Sequence, residues 1–330
     1  MKLELINCPG SLKENFNAYS PVVLKKMFNG KKVSPFLNYT SPTDRKDKSS
    51  FNQNQTHISI SGFQEKYSLI LDGNELRLTN ENESGHYILK PISDLPKNSE
   101  FAPANEHLTM QIAKQIFKIE TAENALVFFK DGSPAYLTKR FDYNEIGDKL
   151  AVEDFASLLG KSPATDGEQY KYEGNYLELF EALKKYVPAW KVETPKLFAL
   201  IVFNYLFSNG DAYLKNFSLI ETQQGDFKLS PAYDLLNTKI HIEDADFALK
   251  DGLLPKTISK GKVIDQLFVL GEKAGMIEKS IVKVIQNLTS KEEEEVKDLI
   301  SKSYLSEKLK RNYLQSYQRR LKRLNLELRK

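Results

Sequence analysis

The sequence predicts an α+β protein of two lobes, with a β-rich N-terminal half and a helical C-terminal half. Three observations support this prediction. The chain has 330 residues, which is more than one typical domain. Alternating runs around Asp-Gly turns, as in Tyr67–Thr79 and Asn124–Phe141, are typical of β-hairpins. Beyond them, apolar stretches such as Pro195–Phe207 are long enough to form buried helices.

The composition is that of an ordinary globular protein, with 41% apolar and 28% charged residues. The net charge of +3 is too small to indicate nucleic-acid binding by itself. A single cysteine, Cys8, excludes an intramolecular disulfide and a cysteine-based zinc cluster. The sequence lacks the charged-then-apolar form of a signal peptide, and its longest apolar run, Leu197–Phe207, is too short to span a bilayer. We therefore expect a cytoplasmic protein with no membrane partner.

The N-terminal half contains most of the expected strands. We predict a short strand at Leu3–Ile6, a helix at Pro21–Phe28 and a polar linker at Asn38–Thr56. Further strands are expected at Tyr67–Leu71, Glu75–Thr79, His86–Lys90, Asn124–Phe129 and Ala135–Phe141. The chain then turns helical at Lys139–Asp142, and we expect a hinge there at which backbone groups meet an adenine.

A helix predicted at Asn105–Phe117 carries one acidic residue on an apolar face. Glu106 lies on the same face of this helix as Met110 and Phe117, so its side chain is expected to point inward. A buried carboxylate needs a cation, and Lys90 at the end of the preceding strand is the natural candidate. Taken alone, the pattern favours the simpler interpretation that the two residues are unrelated surface charges.

The C-terminal half is expected to be mainly helical. Helices are predicted at Val152–Leu159, Tyr176–Tyr186, Pro195–Phe207, Val263–Ala274 and Ile277–Asn287, followed by a charged helix or helix pair from Lys291 onward. The polar stretch Lys161–Gly174 is expected to be a loop beside the cleft. The basic residues of the C-terminal segment are expected to form a solvated helix face, with contact to DNA phosphates as the alternative; they are Lys308, Lys310, Arg311, Arg319, Arg320, Lys322 and Arg323.

The stretch from Leu206 to Asp234 carries the candidate chemistry. Gly210 is expected to end the preceding helix, and Asp211 and Asn216 follow, five residues apart. Two short strands then lead to Asp234. Phosphoryl transfer needs a carboxylate that accepts the acceptor's proton, and oxygen ligands that hold Mg²⁺ on the phosphates. This order is typical of a kinase-like site, with Asp211 in the first role and Asn216 and Asp234 in the second.

The remaining candidate features are weaker. The single glycine in His57–Lys66 could let backbone N–H groups approach a phosphate, but most such segments are ordinary hairpin edges. The four histidines show no metal-ligand spacing. From the residues alone, two function classes stay open. They are a protein kinase and a phosphotransferase acting on a small molecule.

Taken in order, several stretches resemble the HipA-type serine/threonine kinases, the toxins of bacterial type II toxin–antitoxin systems. The matching stretches are SISGFQEK (Ser59–Lys66), ILKP (Ile88–Pro91), NEHLTMQIA (Asn105–Ala113), KRFD (Lys139–Asp142), VEDFASLLG (Val152–Gly160), NGDAYLKNFSL (Asn209–Leu219) and SPAYDLL (Ser230–Leu236). The resemblance implies a protein-kinase-like fold with an N-terminal extension (1–55), a β-rich N-lobe (56–141) and an all-helical C-lobe (142–330).

The resemblance also implies roles for individual residues. Asp211 matches the catalytic base, Asn216 and Asp234 match the Mg²⁺ ligands, and Lys90, paired with Glu106, matches the phosphate-binding lysine. The other residues implied to bind ATP are Ser61, Gly62, Phe63, Gln64, Glu65 and Lys66 of the glycine-rich loop, Lys139, Arg140 and Phe141 of the hinge, and Tyr213, Lys215 and Tyr233. Tyr213 stands where many HipA proteins carry histidine. Ser59 and Ser61 match an autophosphorylated Ser-Ile-Ser loop, in which phosphate would repel the phosphates of ATP.

The short segment before this loop resembles the HipT branch. There a separate HipS protein supplies the missing N-terminal piece. The resemblance therefore implies two protein partners, a HipS-like protein and a HipB-like helix-turn-helix antitoxin, and this protein would contact DNA only indirectly, through the antitoxin complex. It also implies a translation component, such as an aminoacyl-tRNA synthetase, as the protein substrate. The resemblance also leaves a third function class open, a catalytically silent nucleotide-binding co-repressor that acts with a helix-turn-helix antitoxin. Against it stand the intact Asp211, Asn216, Asp234 and Lys90.

Overall fold

The computed structural model describes residues 4–41, 65–92, 95–144, 146–290 and 293–328. Within these ranges the N-lobe is built on a five-stranded antiparallel sheet with strand order β2-β1-β3-β5-β4. Its strands are β1 (Tyr67–Asp72), β2 (Glu75–Leu78), β3 (Tyr87–Lys90), β4 (Asn124–Phe128) and β5 (Pro134–Lys139). Side chains alternate across a strand, so in β3 Leu89 enters the lobe's core while Lys90 faces the other way.

The N-terminal segment packs on this sheet rather than forming a strand of it. Helix α1 (Pro21–Phe28) begins at Ser20, whose hydroxyl accepts a hydrogen bond from the Val23 N–H. Met27 and Phe28 share a core with the strands. The predicted strand at Leu3–Ile6 is wrong for its described residues, 4–6. The edge of β4 is instead satisfied by the carbonyls of Pro9 and Pro35, which accept the N–H groups of Leu126 and Phe128.

The C-lobe is organised around one buried helix. Helix α2 (Ala102–Gln115) comes between β3 and β4 in the chain. The described α-helices after β5 are α3 (Phe155–Leu158), α4 (Pro163–Asp166), α5 (Leu177–Tyr186), α6 (Trp190–Leu206), α7 (Val263–Lys273), α8 (Glu278–Thr289), α9 (Glu293–Ser301) and α10 (Glu307–Leu328). Helix α6 is apolar nearly all round and contacts α5 and α8. It begins at Trp190, five residues before the predicted Pro195, and in its first turn the Thr194 hydroxyl donates to the Trp190 carbonyl at 2.8 Å.

The expectation of an all-helical C-lobe is wrong in one respect. A three-stranded antiparallel sheet of β6 (Val152–Asp154), β7 (Ser218–Glu221) and β8 (Phe227–Leu229) lies at the junction of the lobes. The predicted helix at Val152–Leu159 therefore starts as a strand, with Val152 paired to Ile220. Helix α3 begins only after Asp154, whose carboxylate accepts the Ser157 N–H at 3.0 Å and so caps the helix.

The C-terminal helix α10 contacts helices α6, α7 and α8 of the C-lobe. Helix α10 reaches α2 through a 2.8 Å hydrogen bond between the hydroxyls of Tyr313 and Thr109. One predicted surface residue of α10 is buried. Arg320 is 4% exposed; its guanidinium lies 4.5 Å from the ring centroid of Tyr205 and pairs with Asp246 at 2.6 Å. Arginine can be buried here because its planar guanidinium stacks on a ring and binds a carboxylate at the same time. Among the described residues, no helix is both long and apolar enough to cross a membrane.

Candidate active site

A cavity of about 680 Å³ opens between the two lobes. Its walls come from β3, the β5–hinge segment, β6, the loop before β7 and the residues after β8. Nine of the predicted residues line it or pair within it, namely Lys66, Lys90, Lys139, Arg140, Phe141, Lys215, Asn216, Tyr233 and Asp234. The volume falls within the ordinary range for small-molecule and cofactor sites, about 300–1,000 Å³.

Lys90 connects the lobes through two carboxylates. Its Nζ donates to Glu106 Oε1 at 2.7 Å and also contacts Asp234 Oδ1. Strand β3 and helix α2 hold the first two residues, and their side chains are 6% and 7% exposed. Burial lowers the pKa of the Lys90 amine, and the Glu106 carboxylate opposes that effect. The inward-facing Glu106 and its pairing with Lys90, which the sequence alone could not decide, are therefore present in the fold.

Asp234 occupies a strained backbone conformation between two lysines. Its φ of 55° places it in the left-handed region, which non-glycine residues rarely adopt. Strain of this kind gathers at functional sites, where surrounding contacts maintain it. The second carboxylate oxygen lies 4.0 Å from the Nζ of Lys66, whose side chain is 9% exposed. One carboxylate is thus held where two amines converge.

The loop that follows α6 differs from the predicted helix end. The residue with positive φ is Ser208, at 54°, and not Gly210. Gly210 is needed for another reason, since a Cβ there would collide with the carboxylate of Asp244. Asn209 donates through Nδ2 to the side-chain oxygen of Asn204 at 3.1 Å and to the Asp234 carbonyl at 3.4 Å. This amide ties the loop before Asp211 to the residue after the hairpin.

Asp211 lies at the inner edge of the site, with two residues beside it that the sequence did not identify. The Tyr172 hydroxyl donates to Asp211 Oδ1 at 2.8 Å. The Lys171 amine lies 4.3 Å from the ring centroid of Tyr213. Burial raises the pKa of the Asp211 carboxyl, while the Tyr172 hydrogen bond and the charge of Lys171 act in the opposite direction. Both residues belong to the short 3-10 turn Tyr170–Tyr172, inside the stretch predicted as a loop.

Asn216 and Lys215 reach the cavity from the 3-10 turn Leu214–Asn216. Asn216 is 7% exposed. Lys215 is oriented by Asp154 at 3.2 Å, a carboxylate that sequence reasoning missed because it lies 61 positions earlier in the chain. The Tyr233 hydroxyl donates to the Lys215 carbonyl at 2.8 Å, which fixes the aromatic ring next to Asp234. These contacts connect the turn that carries Asn216 to the residue before Asp234.

The hinge segment Lys139–Phe141 lines the cavity, but the Lys139 amine is hydrogen-bonded to the N-terminal segment. The Lys139 amine turns away to Asn29 Oδ1 and the Lys26 carbonyl, at 2.9 and 3.1 Å. The Phe141 ring packs against Tyr233, with 5.7 Å between centroids. The backbone N–H groups of Lys139 and Arg140 donate to the carbonyls of Glu123 and His86, each at 2.8 Å, so these two donors are already used. What this segment offers an adenine is the pair of rings, Phe141 and Tyr233, on which a base can stack.

Not every predicted residue reaches this cavity. Ser59, Ser61, Gly62, Phe63 and Gln64 lie outside the described residues. Glu65 is exposed and accepts a hydrogen bond from the Tyr67 hydroxyl at 2.9 Å. Asp211 and Tyr213 lie beside the cavity wall rather than on it, in contact with the Tyr170–Tyr172 turn.

The donor set fits a hard divalent cation and a polyphosphate. Asn216 and Asp234 offer an amide and a carboxylate oxygen on one wall of the cavity, which is the ligand chemistry that Mg²⁺ prefers. Lys66, Lys90 and Lys215 line the same space and suit phosphate oxygens. Among the described residues, no group of three or more His, Cys, Asp or Glu side chains is placed to hold a metal by itself. That finding fits an ion bound with substrate phosphates, not a closed protein cage.

Sequence comparison relates the chain to proteins named as kinases. A Haemophilus influenzae protein named "Putative kinase" is 29% identical over 297 residues, which is 83% of this chain and 84% of that protein. Two Sinorhizobium fredii proteins, named "Putative kinase Y4mE" and "Putative kinase Y4dM", are each 31% identical, over 56% and 69% of this chain. The chain spans only 44% and 56% of the length of these two longer relatives.

Solved structures with the same fold support the two-lobed architecture. HipA of Shewanella oneidensis MR-1, determined with HipB and operator DNA, matches with a TM-score of 0.61 at 20% identity, over 80% of this chain and 63% of that chain. The Helicobacter pylori proinflammatory kinase CtkA matches with a TM-score of 0.50 at 14% identity, over 76% and 91%. These likenesses confirm the kinase-like α+β fold.

The family model for the HipA-like C-terminal domain matches residues 58–298, a range that holds the whole cavity. It covers well over half of the chain, and the residues that build the site all lie within it. The protein therefore belongs to the HipA-like family.

Proposed function

We propose that the protein is an ATP- and Mg²⁺-dependent serine/threonine protein kinase that acts as the toxin of a type II toxin–antitoxin system. The observation that carries the proposal is the Lys90 amine, held between the carboxylates of Glu106 and Asp234 in a cavity that Asn216 also lines. A structural ion pair alone would not need a left-handed backbone at Asp234, nor a second amine, Lys66, near the same carboxylate.

In this proposal each residue has one task. Lys90 and Lys66 bind phosphate oxygens of ATP, and the hinge at Lys139–Phe141 receives the adenine. Asn216 and Asp234 would hold Mg²⁺, which when bound would neutralise charge on the phosphates. Asp211 accepts the proton of the acceptor hydroxyl. The hydroxyl oxygen bonds to the γ-phosphorus, and the bond between that phosphorus and the bridging oxygen breaks, so that ADP leaves.

The finer assignments are part of the same proposal. The resemblance to the HipT branch supports a HipS-like partner and a HipB-like antitoxin that binds operator DNA. The structure of the Shewanella HipA with HipB and operator DNA supports the antitoxin by analogy. We propose a translation component, such as an aminoacyl-tRNA synthetase, as the substrate, and Ser59 or Ser61 as autophosphorylation sites.

The test compares wild type with Asp211→Asn in transfer of labelled phosphate from ATP to protein in a bacterial lysate. A positioned base contributes about 100- to 10,000-fold to rate, so the variant is expected to lose that much while still binding ATP. Asp226→Asn, the same change in the β7–β8 turn, is the matched control and should leave transfer unchanged. Chelation of Mg²⁺ should abolish transfer by wild type.

The outcomes separate the alternatives. Label in one lysate protein, together with growth arrest on induction, supports the toxin kinase and identifies its substrate. Label found only in a small metabolite would instead favour the small-molecule phosphotransferase. ATP binding without any transfer, even with Ser59 and Ser61 changed to Ala, would favour the silent co-repressor. Mass spectrometry that finds Ser59 and Ser61 unmodified after incubation with ATP would contradict autophosphorylation.

A further inference from the structure

The 3-10 turn Tyr170–Tyr172 brings a tyrosine hydroxyl to the predicted base. Tyr172 Oη donates to Asp211 Oδ1 at 2.8 Å, a good length for a hydrogen bond to a carboxylate. The two residues are 39 positions apart, so the contact is made by the fold and not by local sequence. An aspartate that must accept a proton at one oxygen gains from having its other oxygen held in place.

The turn is anchored on its far side. The Tyr172 carbonyl accepts the Lys250 N–H at 2.9 Å, and the Lys250 amine pairs with Glu173 at 3.0 Å. Gly174, with a φ of 94°, lets the chain reverse, and its carbonyl accepts the Asp251 N–H at 3.0 Å. The phenol is thus fixed from outside the catalytic loop.

Neighbouring groups give Asp211 a mixed electrostatic environment. The Tyr172 and Tyr213 rings lie 5.0 Å apart between centroids, and the Lys171 amine lies over both. The titratable and charged groups that face Asp211 from the surrounding elements are Lys171, Tyr172, Tyr176, Tyr213, Lys66, Lys90 and Asp244. Of the described neighbours, Tyr172 donates a side-chain hydrogen bond to the carboxylate.

We propose that Tyr172 is a positioning residue for phosphoryl transfer, which holds Asp211 Oδ1 so that Oδ2 is directed at the acceptor hydroxyl. The inference rests on the proposed kinase function and adds a residue to it that no motif indicated. In the reaction, Oδ2 takes the acceptor's proton while the Tyr172 proton stays on its phenol oxygen, since burial and the nearby Asp211 raise the pKa of that phenol well above its usual value.

The test uses the full chain with Tyr172→Phe, which removes the hydroxyl and keeps the ring. We expect kcat to fall about 10- to 100-fold, a part of what a positioned base contributes, with KM for ATP within about twofold of wild type. Tyr186→Phe is the matched control. Its hydroxyl donates to the Leu158 carbonyl at 3.3 Å, away from the cavity, and its loss should change neither constant.

A second measurement tests the contact without relying on activity. Urea denaturation of wild type, Tyr172→Phe, Asp211→Asn and the double variant should show non-additive losses of stability, because the two side chains share one hydrogen bond. Additive losses, a kcat like that of Tyr186→Phe, or a defect confined to KM for ATP would each overturn the inference. A wild type that transfers no phosphate but shows the non-additivity would refute the kinase and keep the contact.

Discussion

Replacing Lys90 with Met tests the central ion pair through stability, independently of substrate. At 2.7 Å and an effective dielectric constant of about 20, Lys90 and Glu106 attract each other by about 6 kcal/mol before desolvation is subtracted. Both side chains are under 10% exposed, so this is a buried pair. Removing one partner of such a pair leaves an uncompensated charge, and Lys90→Met should lower the free energy of unfolding by about 3–5 kcal/mol.

The double variant Lys90→Met/Glu106→Leu should be more stable than the sum of the two single losses predicts, by about 0.5–3 kcal/mol, since neither charge is then stranded. Urea denaturation followed by circular dichroism measures all four proteins. The exposed pair Lys310–Glu307, at a similar 2.9 Å, is the matched control and should show little coupling. Strict additivity of the Lys90 and Glu106 losses would refute the argument that the two side chains form a unit.

Two further predictions concern a buried histidine and a crowded glycine. Burial lowers the pKa of His107 to about 3 from its ordinary value of 6.5. Between these two pH values the unfolded chain binds a proton at His107 and the folded chain does not. The contribution of His107 to the free energy of unfolding is complete above pH 6.5 and falls by about 1.4 kcal/mol per pH unit towards pH 3. His107→Gln should flatten that pH dependence, measured by urea titrations at pH 7.5 and 5.5. An unchanged dependence would contradict this. Gly210→Ala should reduce phosphate transfer because its Cβ meets the Asp244 carboxylate, and Gly210→Ala/Asp244→Ala should recover part of it. Full activity of Gly210→Ala alone would show that the loop can shift freely.

Local pattern predicted most elements of the N-lobe. The Asp-Gly turns and alternation located β1, β2, β4 and β5 to within a few residues, because a hairpin's signal lies within its own strands. The strand predicted at Leu3–Ile6 failed because its Leu and Ile pattern does not reveal that Pro9 and Pro35 already occupy the sheet edge. The start of β6 was missed because a strand of three residues, paired to β7 over 60 positions away, carries no periodicity of its own.

The sequence predicts a kinase-like order of Asp211, Asn216 and Asp234, and that order is a feature of local sequence. Asp211 and Asn216 share one loop, and a short hairpin carries the chain to Asp234, so the stretch itself encodes their proximity. Glu106 could be assigned an inward direction from its helix face, since helical periodicity is local.

Tertiary structure decided most of the partners that these residues meet. The sequence offered Glu106 as the candidate partner of Lys90, and only the structure added Asp234 to that pair, set Asp154 beside Lys215 and brought Tyr172 to Asp211. Each contact connects segments that are 16 to 144 positions apart, and side-chain packing between elements determines it. The sequence by itself determined the chemical groups of the site and their order, because local spacing specifies loops and strands. The spatial arrangement of those groups depends on contacts between distant segments, which no local pattern records.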